Sequence, residues 1–171
     1  MQRECGECSA CCVTLRIEDK QLQKHADTPC VHLRNCGGCG IYAERPEVCR
    51  AWQCGWKLME GLGDQWRPDL SGILIRLNED SGLTLQPLRD PAVILTAESV
   101  LTLVAGFVSR SVPVFISVPT RLGFCYSLVH LNQPLTRAIQ SRDIDLARSI
   151  MLQAVARGSE AKTDPVAPLS S

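Results

Sequence analysis

The sequence predicts an α+β fold, in which an N-terminal cysteine-rich, metal-bound lobe packs on a small antiparallel sheet with two or more helices. Three observations lead to this fold class. Nine of the ten cysteines lie before residue 55. Strand-like runs separated by turn residues come next, and a helical period follows them. We therefore predict a cysteine lobe over residues 1–66, an α+β body over residues 67–157 and a disordered tail over residues 158–171.

The body combines strand-like and helix-like patterns. Runs of β-branched and apolar residues predict strands at residues 72–77, 83–87, 112–118 and 124–129. Apolar residues at helical spacing predict helices at residues 96–110 and 143–158. The turn at residues 78–82 joins the first two strands as a hairpin. Cys125 lies in the last strand, where we expect it to be a small buried hydrophobic residue.

The charge balance argues against polyanionic partners. The chain has 18 basic and 18 acidic residues, so no net charge attracts nucleic acid or an anionic membrane. The longest apolar stretch, residues 93–108, is shorter than the ~20 residues of a membrane-spanning helix. We expect a monomer that binds metal ions and contacts neither nucleic acid nor membrane.

The chemistry expected of the cysteines depends on the redox state of the cellular compartment. Residues Met1 to Cys5 lack the apolar run of a secretory signal peptide, so we expect a cytoplasmic protein. Thiols stay reduced in the cytosol, where a high cysteine density is typical of metal binding or redox chemistry rather than of disulfides. The cysteines are therefore candidate metal ligands.

The first cysteine block is Cys5, Cys8, Cys11 and Cys12. Each Cys-x-x-Cys step turns two sulfurs towards one ion, so three of these cysteines can serve one centre. The sulfur of Cys12 is expected to diverge from that of Cys11 and to serve a second centre. The remaining ligands must then come from the downstream cysteines, which would fold the lobe around metal.

The downstream cysteines form two further motifs. Cys36-Gly37-Gly38-Cys39 is a knuckle whose glycines allow the backbone to approach closely. Cys49 and Cys54 are spaced more loosely, and a short helical turn would bring their sulfurs near each other. Trp52 between them could shield a cluster from water.

Together these segments resemble the YkgJ-type cysteine-cluster family, also described as CxxCxxCC or zinc- or iron-chelating domain proteins. The resemblance rests on four segments: Cys5-x2-Cys8-x2-Cys11-Cys12, Cys30-Val31-His32-Leu33, Gly38 to Arg50, and Trp52-Gln53-Cys54. No segment after residue 66 takes part. The cysteine pattern is also shared with enzymes that methylate flagellin lysines.

The resemblance implies a ligand set that would suit two four-thiolate centres. Its eight members are Cys5, Cys8, Cys11, Cys12, Cys30, Cys39, Cys49 and Cys54. Cys36 is an addition to the family pattern, and either replaces one of the eight or stays a free thiol. His32 is a further candidate ligand, or instead caps a turn or donates to a sulfur.

The predicted function is metal binding with a structural or metal-handling role. The cofactors expected are zinc or iron ions or an iron–sulfur cluster. The chain has no Gly-rich phosphate loop, no nucleophile elbow and no His-Glu-x-x-His motif, so catalysis by one of these devices has no sequence support. The alternative is a redox or methyl-transfer enzyme component that uses an iron–sulfur centre.

Overall fold

The computed structural model describes residues 3–169, and their contacts form two units. Unit 1 holds the residues up to Leu74 together with those from Ala167 onward, and unit 2 holds Ile75–Val166. Both helices and strands are present, which confirms the α+β class predicted from the sequence. The predicted limits of the lobe, body and tail stay predictions, because grouping by contacts does not show which segments fold independently.

Unit 1 consists of short elements joined by loops. They are α1 (Ala10–Thr14), β1 (Ile17–Glu18), β2 (Gln23–Lys24), α2 (Glu47–Ala51), α3 (Gly55–Leu58) and α4 (Pro68–Ser71), with 3-10 turns at Tyr42–Glu44 and Asp64–Trp66. Strands β1 and β2 pair antiparallel. Helix α4 begins with a proline at its first position and ends at Gly72, whose φ of 73° is left-handed. The next strand, β3 (Ile73–Leu77), starts in unit 1 and continues into unit 2.

Unit 2 contains the longer elements. They are β4 (Leu83–Pro87), α5 (Pro91–Leu95), α6 (Glu98–Val108), β5 (Val114–Val118), β6 (Ser127–His130), α7 (Asn132–Ser141) and α8 (Ile144–Ser159). The strands follow the order β3-β4-β5-β6. The carboxylate of Asp143 caps α8 by accepting a hydrogen bond from the Leu146 N–H at 2.9 Å, as expected for a helix N-terminus.

The four-stranded sheet is mixed, whereas the sequence predicted a small antiparallel sheet. Strands β4 and β5 are parallel, with Leu83 opposite Val114, while β5 and β6 are antiparallel. The reason is the connection between β4 and β5, which contains helices α5 and α6. A helical crossover of this kind returns the chain in the same direction, so the two strands it joins can pair in parallel.

The core of unit 2 lies between its sheet and its helices. Ile116 in β5 and Leu95 in α5 are fully buried, as are Leu131 and Met151 on the helical side. Full burial of such a side chain stabilises a fold by roughly 1.5–3 kcal/mol relative to exposure. Apolar burial therefore accounts for the order of this unit.

Most of the strands and helices predicted from the sequence have counterparts in the structure. The four predicted strands and two predicted helices overlap β3, β4, β5, β6, α6 and α8, while α5 and α7 were not predicted. Cys125 is exposed, so the prediction that it is buried is wrong; it precedes β6 instead of lying within it. In the predicted tail, the Asp164 carbonyl accepts from the Cys125 N–H at 2.9 Å. Within residues 3–169, no helix is long and apolar enough to cross a bilayer.

Candidate metal centre

Unit 1 encloses a cavity of about 210 Å³ that is lined by eight cysteines. They are Cys5, Cys8, Cys11, Cys12, Cys30, Cys39, Cys49 and Cys54. The set is the one that the resemblance selects. His32 also lines the cavity, whereas the remaining N-terminal cysteine, Cys36, is exposed and is not part of the lining. Cysteines from sequence positions as distant as 5 and 54 therefore face one space.

A turn and a short helix place the first cysteine block on the cavity wall. The Cys8 N–H donates to the Cys5 carbonyl at 3.0 Å, which closes the first Cys-x-x-Cys turn. Helix α1 starts at Ala10, so the neighbouring Cys11 and Cys12 lie in its first turn. Ala10 is buried beside them, at 8 % exposure. The geometry of this block thus follows from local backbone hydrogen bonds.

The glycines of the knuckle bring the two cysteine blocks together. Gly37 and Gly38 have φ values of +89° and +75°, which residues other than glycine rarely adopt. A Cβ atom at Gly37 would lie 2.5 Å from the Glu7 carbonyl oxygen, and one at Gly38 would clash with the carbonyl oxygen of Gly6. The Gly38 N–H also donates to Ser9 Oγ at 2.9 Å. Only glycine fits at these positions, because the knuckle backbone rests directly on the first block.

Cys30 joins the first block through the main chain. Its N–H donates to the Cys12 carbonyl at 2.9 Å, and its sulfur accepts the backbone N–H of His32 at 3.5 Å. His32 therefore reaches a sulfur through its backbone, in the arrangement typical of thiolate metal sites. Whether its ring is a ligand stays a prediction.

Cys49 and Cys54 reach the cavity from two consecutive short helices. Cys49 lies within α2, and Cys54 is the residue that precedes α3. Arg45 supports this segment, since its Nε donates to the Cys49 carbonyl at 3.3 Å and its Nη1 to the Tyr42 carbonyl at 3.0 Å. Trp52 lines the cavity, as does Trp56.

The thiols of Cys11 and Cys12 influence each other's pKa, and the prediction that their sulfurs diverge to serve different centres stays a prediction. The interaction between the two thiols lowers the pKa of Cys12 and raises that of Cys11 well above its ordinary range. Both residues line the same cavity. Both belong to the first turn of helix α1, which borders the cavity.

The other cavity thiols with a shifted pKa favour the protonated form. Burial raises the pKa of Cys8 to about 11, and it also raises the pKa of Cys49 and Cys54. A metal ion binds the thiolate, so each of these cysteines must lose its proton when metal binds. Metal binding by this set would therefore release protons.

The thiols do not form a preformed site for a single ion. Among residues 3–169, no group of three or more His, Cys, Asp or Glu side chains is placed to hold one metal ion. Four sulfurs at about 2.3 Å from a tetrahedral Zn²⁺ lie about 3.8 Å from one another. The cysteines supply the donor atoms that a thiolate metal centre requires. Their side chains line a cavity without converging in this way, so they form no preformed mononuclear site.

Three polar side chains near the thiols were not assigned to the site from the sequence. Lys24 is buried, at 5 % exposure, and its ammonium donates to the carbonyls of Val13, Leu15 and His25. Tyr42 Oη contacts Cys5 Sγ at 3.8 Å, and Lys57 Nζ donates to Tyr42 Oη at 3.4 Å. For Tyr42 the sequence signal was its place in the resemblance motif, whereas the two lysines carried none.

Comparison with known proteins identifies no homologue of the chain. No protein-family model, no characterised protein and no solved structure matches the chain. The resemblance to the YkgJ-type family therefore stays a prediction that rests on the cysteine segments.

Proposed function

We propose that unit 1 binds zinc or iron, as ions or as an iron–sulfur cluster, through the eight cysteines that line its cavity. The observation that carries this proposal is the composition of the lining. Eight of the nine N-terminal cysteines border one cavity of about 210 Å³, and all ten cysteines are free thiols. Such a density of reduced thiols around one space is typical of metal sites in cytoplasmic proteins, where we place this chain.

The metal would supply the attraction that holds the thiolates together. Eight thiolates repel one another, and a metal group neutralises this repulsion while it crosslinks the chain. The neighbouring Cys11 thiol lowers the pKa of Cys12, and the positive charges of Lys24 and Arg45 lower it further, which favours the Cys12 thiolate. The proposed role is structural or metal-handling, and it agrees with the resemblance to the YkgJ-type family.

Because no three side chains among residues 3–169 are placed to hold one metal ion, a group of several metal atoms is favoured over a single ion. A mononuclear zinc site would require the sulfurs to close in to about 3.8 Å from one another. A polynuclear group bridges sulfurs that lie farther apart, and an iron–sulfur cluster is such a group. This observation favours a second candidate function in addition to the first, namely that of an iron–sulfur redox or methyl-transfer component.

Metal analysis combined with an absorption spectrum tests the proposal. The full chain, purified without oxygen, is expected to contain stoichiometric zinc or iron; an iron–sulfur cluster would absorb near ~400 nm and bleach on reduction, while zinc would be colourless. Cys8→Ser and Cys49→Ser should lower the metal count per chain, because both residues line the cavity.

Two exposed cysteines supply the matched controls. Cys36→Ser and Cys125→Ser should retain the full metal count, since both side chains are exposed and neither borders the cavity. A metal-free wild-type chain would refute metal binding. Loss of a metal equivalent in Cys36→Ser would instead move Cys36 into the ligand set and remove one of the eight.

A further inference from the structure

The hydroxyl of Tyr42 lies beside the sulfur of Cys5 at the thiol cavity. Tyr42 Oη is 3.8 Å from Cys5 Sγ, and both residues line the cavity. The two residues are 37 positions apart in the chain, so this contact depends on the fold of unit 1. A side chain that is not itself a thiol therefore reaches a candidate ligand atom.

The hydrogen bonds around Tyr42 fix the direction in which its hydroxyl donates. Lys57 Nζ donates to Tyr42 Oη at 3.4 Å. A lysine ammonium has three donors and no acceptor, so the Tyr42 oxygen accepts in this bond and its own proton is left for another group. Among residues 3–169, the acceptor within reach of that proton is Cys5 Sγ. The three groups thus form a chain that runs from the Lys57 ammonium through the Tyr42 hydroxyl to the Cys5 sulfur.

Arg45 holds the Tyr42 ring in this position. Its guanidinium carbon lies 3.9 Å from the centroid of the Tyr42 ring, and its Nη1 donates to the Tyr42 carbonyl at 3.0 Å. A guanidinium over an aromatic face attracts the π electrons of the ring. Together with the Lys57 ammonium, it draws electron density away from the hydroxyl, and hydrogen bonds in a chain strengthen one another. The phenol is therefore both fixed in place and polarised towards Cys5.

We propose that Tyr42 donates a hydrogen bond to the Cys5 sulfur in the metal-bound protein, and that Lys57 strengthens this bond through the phenol. The inference rests on the proposed metal function and names two residues that adjust one of its ligands. A cysteine that binds metal has lost its proton, so its sulfur can only accept, and a hydrogen bond to a thiolate is charge-assisted. Such a bond orients the ligand, draws charge from the sulfur and thereby adjusts metal affinity and redox potential.

Cobalt titration of the full-length chain tests this hydrogen bond. The native metal is removed under reducing, oxygen-free conditions, and Co²⁺ is added because its thiolate complexes have a sulfur-to-cobalt charge-transfer band in the near ultraviolet. Tyr42→Phe removes the hydroxyl and keeps the ring. The band should move to longer wavelength, because a sulfur without its hydrogen bond gives up an electron more readily. The affinity for Co²⁺ should fall about tenfold or more.

The position of the band is the decisive readout. A purely structural role of Tyr42 would lower the affinity of Tyr42→Phe for Co²⁺ and leave the band in place, and this result would overturn the proposal. An unchanged band with an unchanged affinity would overturn it as well. Tyr126→Phe is the matched control, since Tyr126 is the other tyrosine of the chain, lies in unit 2 and does not line the cavity.

A double-mutant cycle tests the part played by Lys57. Lys57→Met should shift the band in the same direction as Tyr42→Phe, but by less. In the Tyr42→Phe background, Lys57→Met should have little further effect, because the ammonium acts through the phenol. Equal shifts by Lys57→Met in both backgrounds would show that the ammonium acts on the metal centre without the phenol, and would refute the chain of hydrogen bonds.

The same titrations separate this inference from the proposed metal function. A wild-type chain that contains no zinc or iron as purified and binds no Co²⁺ would contradict the metal function, and this inference with it. Stoichiometric metal in the wild type, together with the same charge-transfer band in Tyr42→Phe, would overturn the hydrogen bond alone and leave the metal function in place.

Discussion

The two units differ in what lies at their centres. Of the twelve largest fully buried side chains among the described residues, ten belong to unit 2, and the other two, Ile73 and Leu74, lie in the strand that leads into it. In the part of unit 1 that the structure describes, no helix is longer than five residues, whereas α8 in unit 2 has 16. Unit 1 instead surrounds a cavity lined by eight thiols, beside a smaller set of buried apolar side chains such as Leu22, Leu62 and Trp66.

This difference indicates two sources of stability in one chain. In unit 2, buried apolar area offsets the conformational entropy lost on folding. The short elements of unit 1 bury few large side chains, so we expect its order to depend on metal bound in the cavity. Each of the following predictions perturbs one of the two sources.

Metal removal is expected to cause the largest loss of stability, and this loss should be confined to unit 1. Structural thiolate sites contribute on the order of 10 kcal/mol to folding. After chelation under reducing conditions, amide hydrogen exchange within residues 3–66 should accelerate strongly, while α6, α8 and the strands β4 and β5 should keep their protection. Unchanged exchange in residues 3–66 after verified metal loss would contradict a structural role for the metal.

Truncation of a side chain in the apolar core should destabilise unit 2 and leave metal binding by unit 1 unchanged. Ile116 is fully buried, at 0 % exposure, so Ile116→Ala should lower the free energy of unfolding of unit 2 by about 2–5 kcal/mol. The metal count per folded chain should not change. Chemical denaturation followed by circular dichroism measures the loss, and Leu122→Ala is the matched control because Leu122 is fully exposed. A comparable loss in Leu122→Ala would show that the core does not carry this stability.

The contact between the two cysteine blocks can be weakened without removing a thiol. Gly38→Ala places a Cβ atom against the Gly6 carbonyl and forces alanine into a left-handed conformation, which costs about 1–2 kcal/mol before the clash is counted. Metal affinity should fall, and a competition titration with a chelator would measure it. Gly61→Ala is the control, since a Cβ there has no neighbour within 4 Å. Equal affinities of the two variants would contradict the close contact of the blocks.

The elements that could be predicted from the sequence are those with a strong local pattern. Strands β3 and β4 and helices α6 and α8 follow alternation or helical spacing, and Asp143 marks the start of α8. Helix α5 also carries a local signal, since Asp90 caps it and Pro91 stands at its first position. Strand direction was not predicted correctly, because it depends on the connection between β4 and β5 and not on the pattern of either strand.

For the candidate site, too, some features could be predicted from the sequence and others depend on tertiary structure. The residue types and spacing of Cys5, Cys8, Cys30 and Cys54 were enough to select them as candidate ligands, because metal chemistry requires particular donor atoms in recurring motifs. Tertiary structure alone decided that these cysteines border one cavity and that Cys36 does not. It also decided that the Tyr42 hydroxyl lies beside the Cys5 sulfur. The physical reason is that donor chemistry belongs to each side chain, whereas proximity arises from backbone contacts between distant segments, such as Gly38 against Gly6.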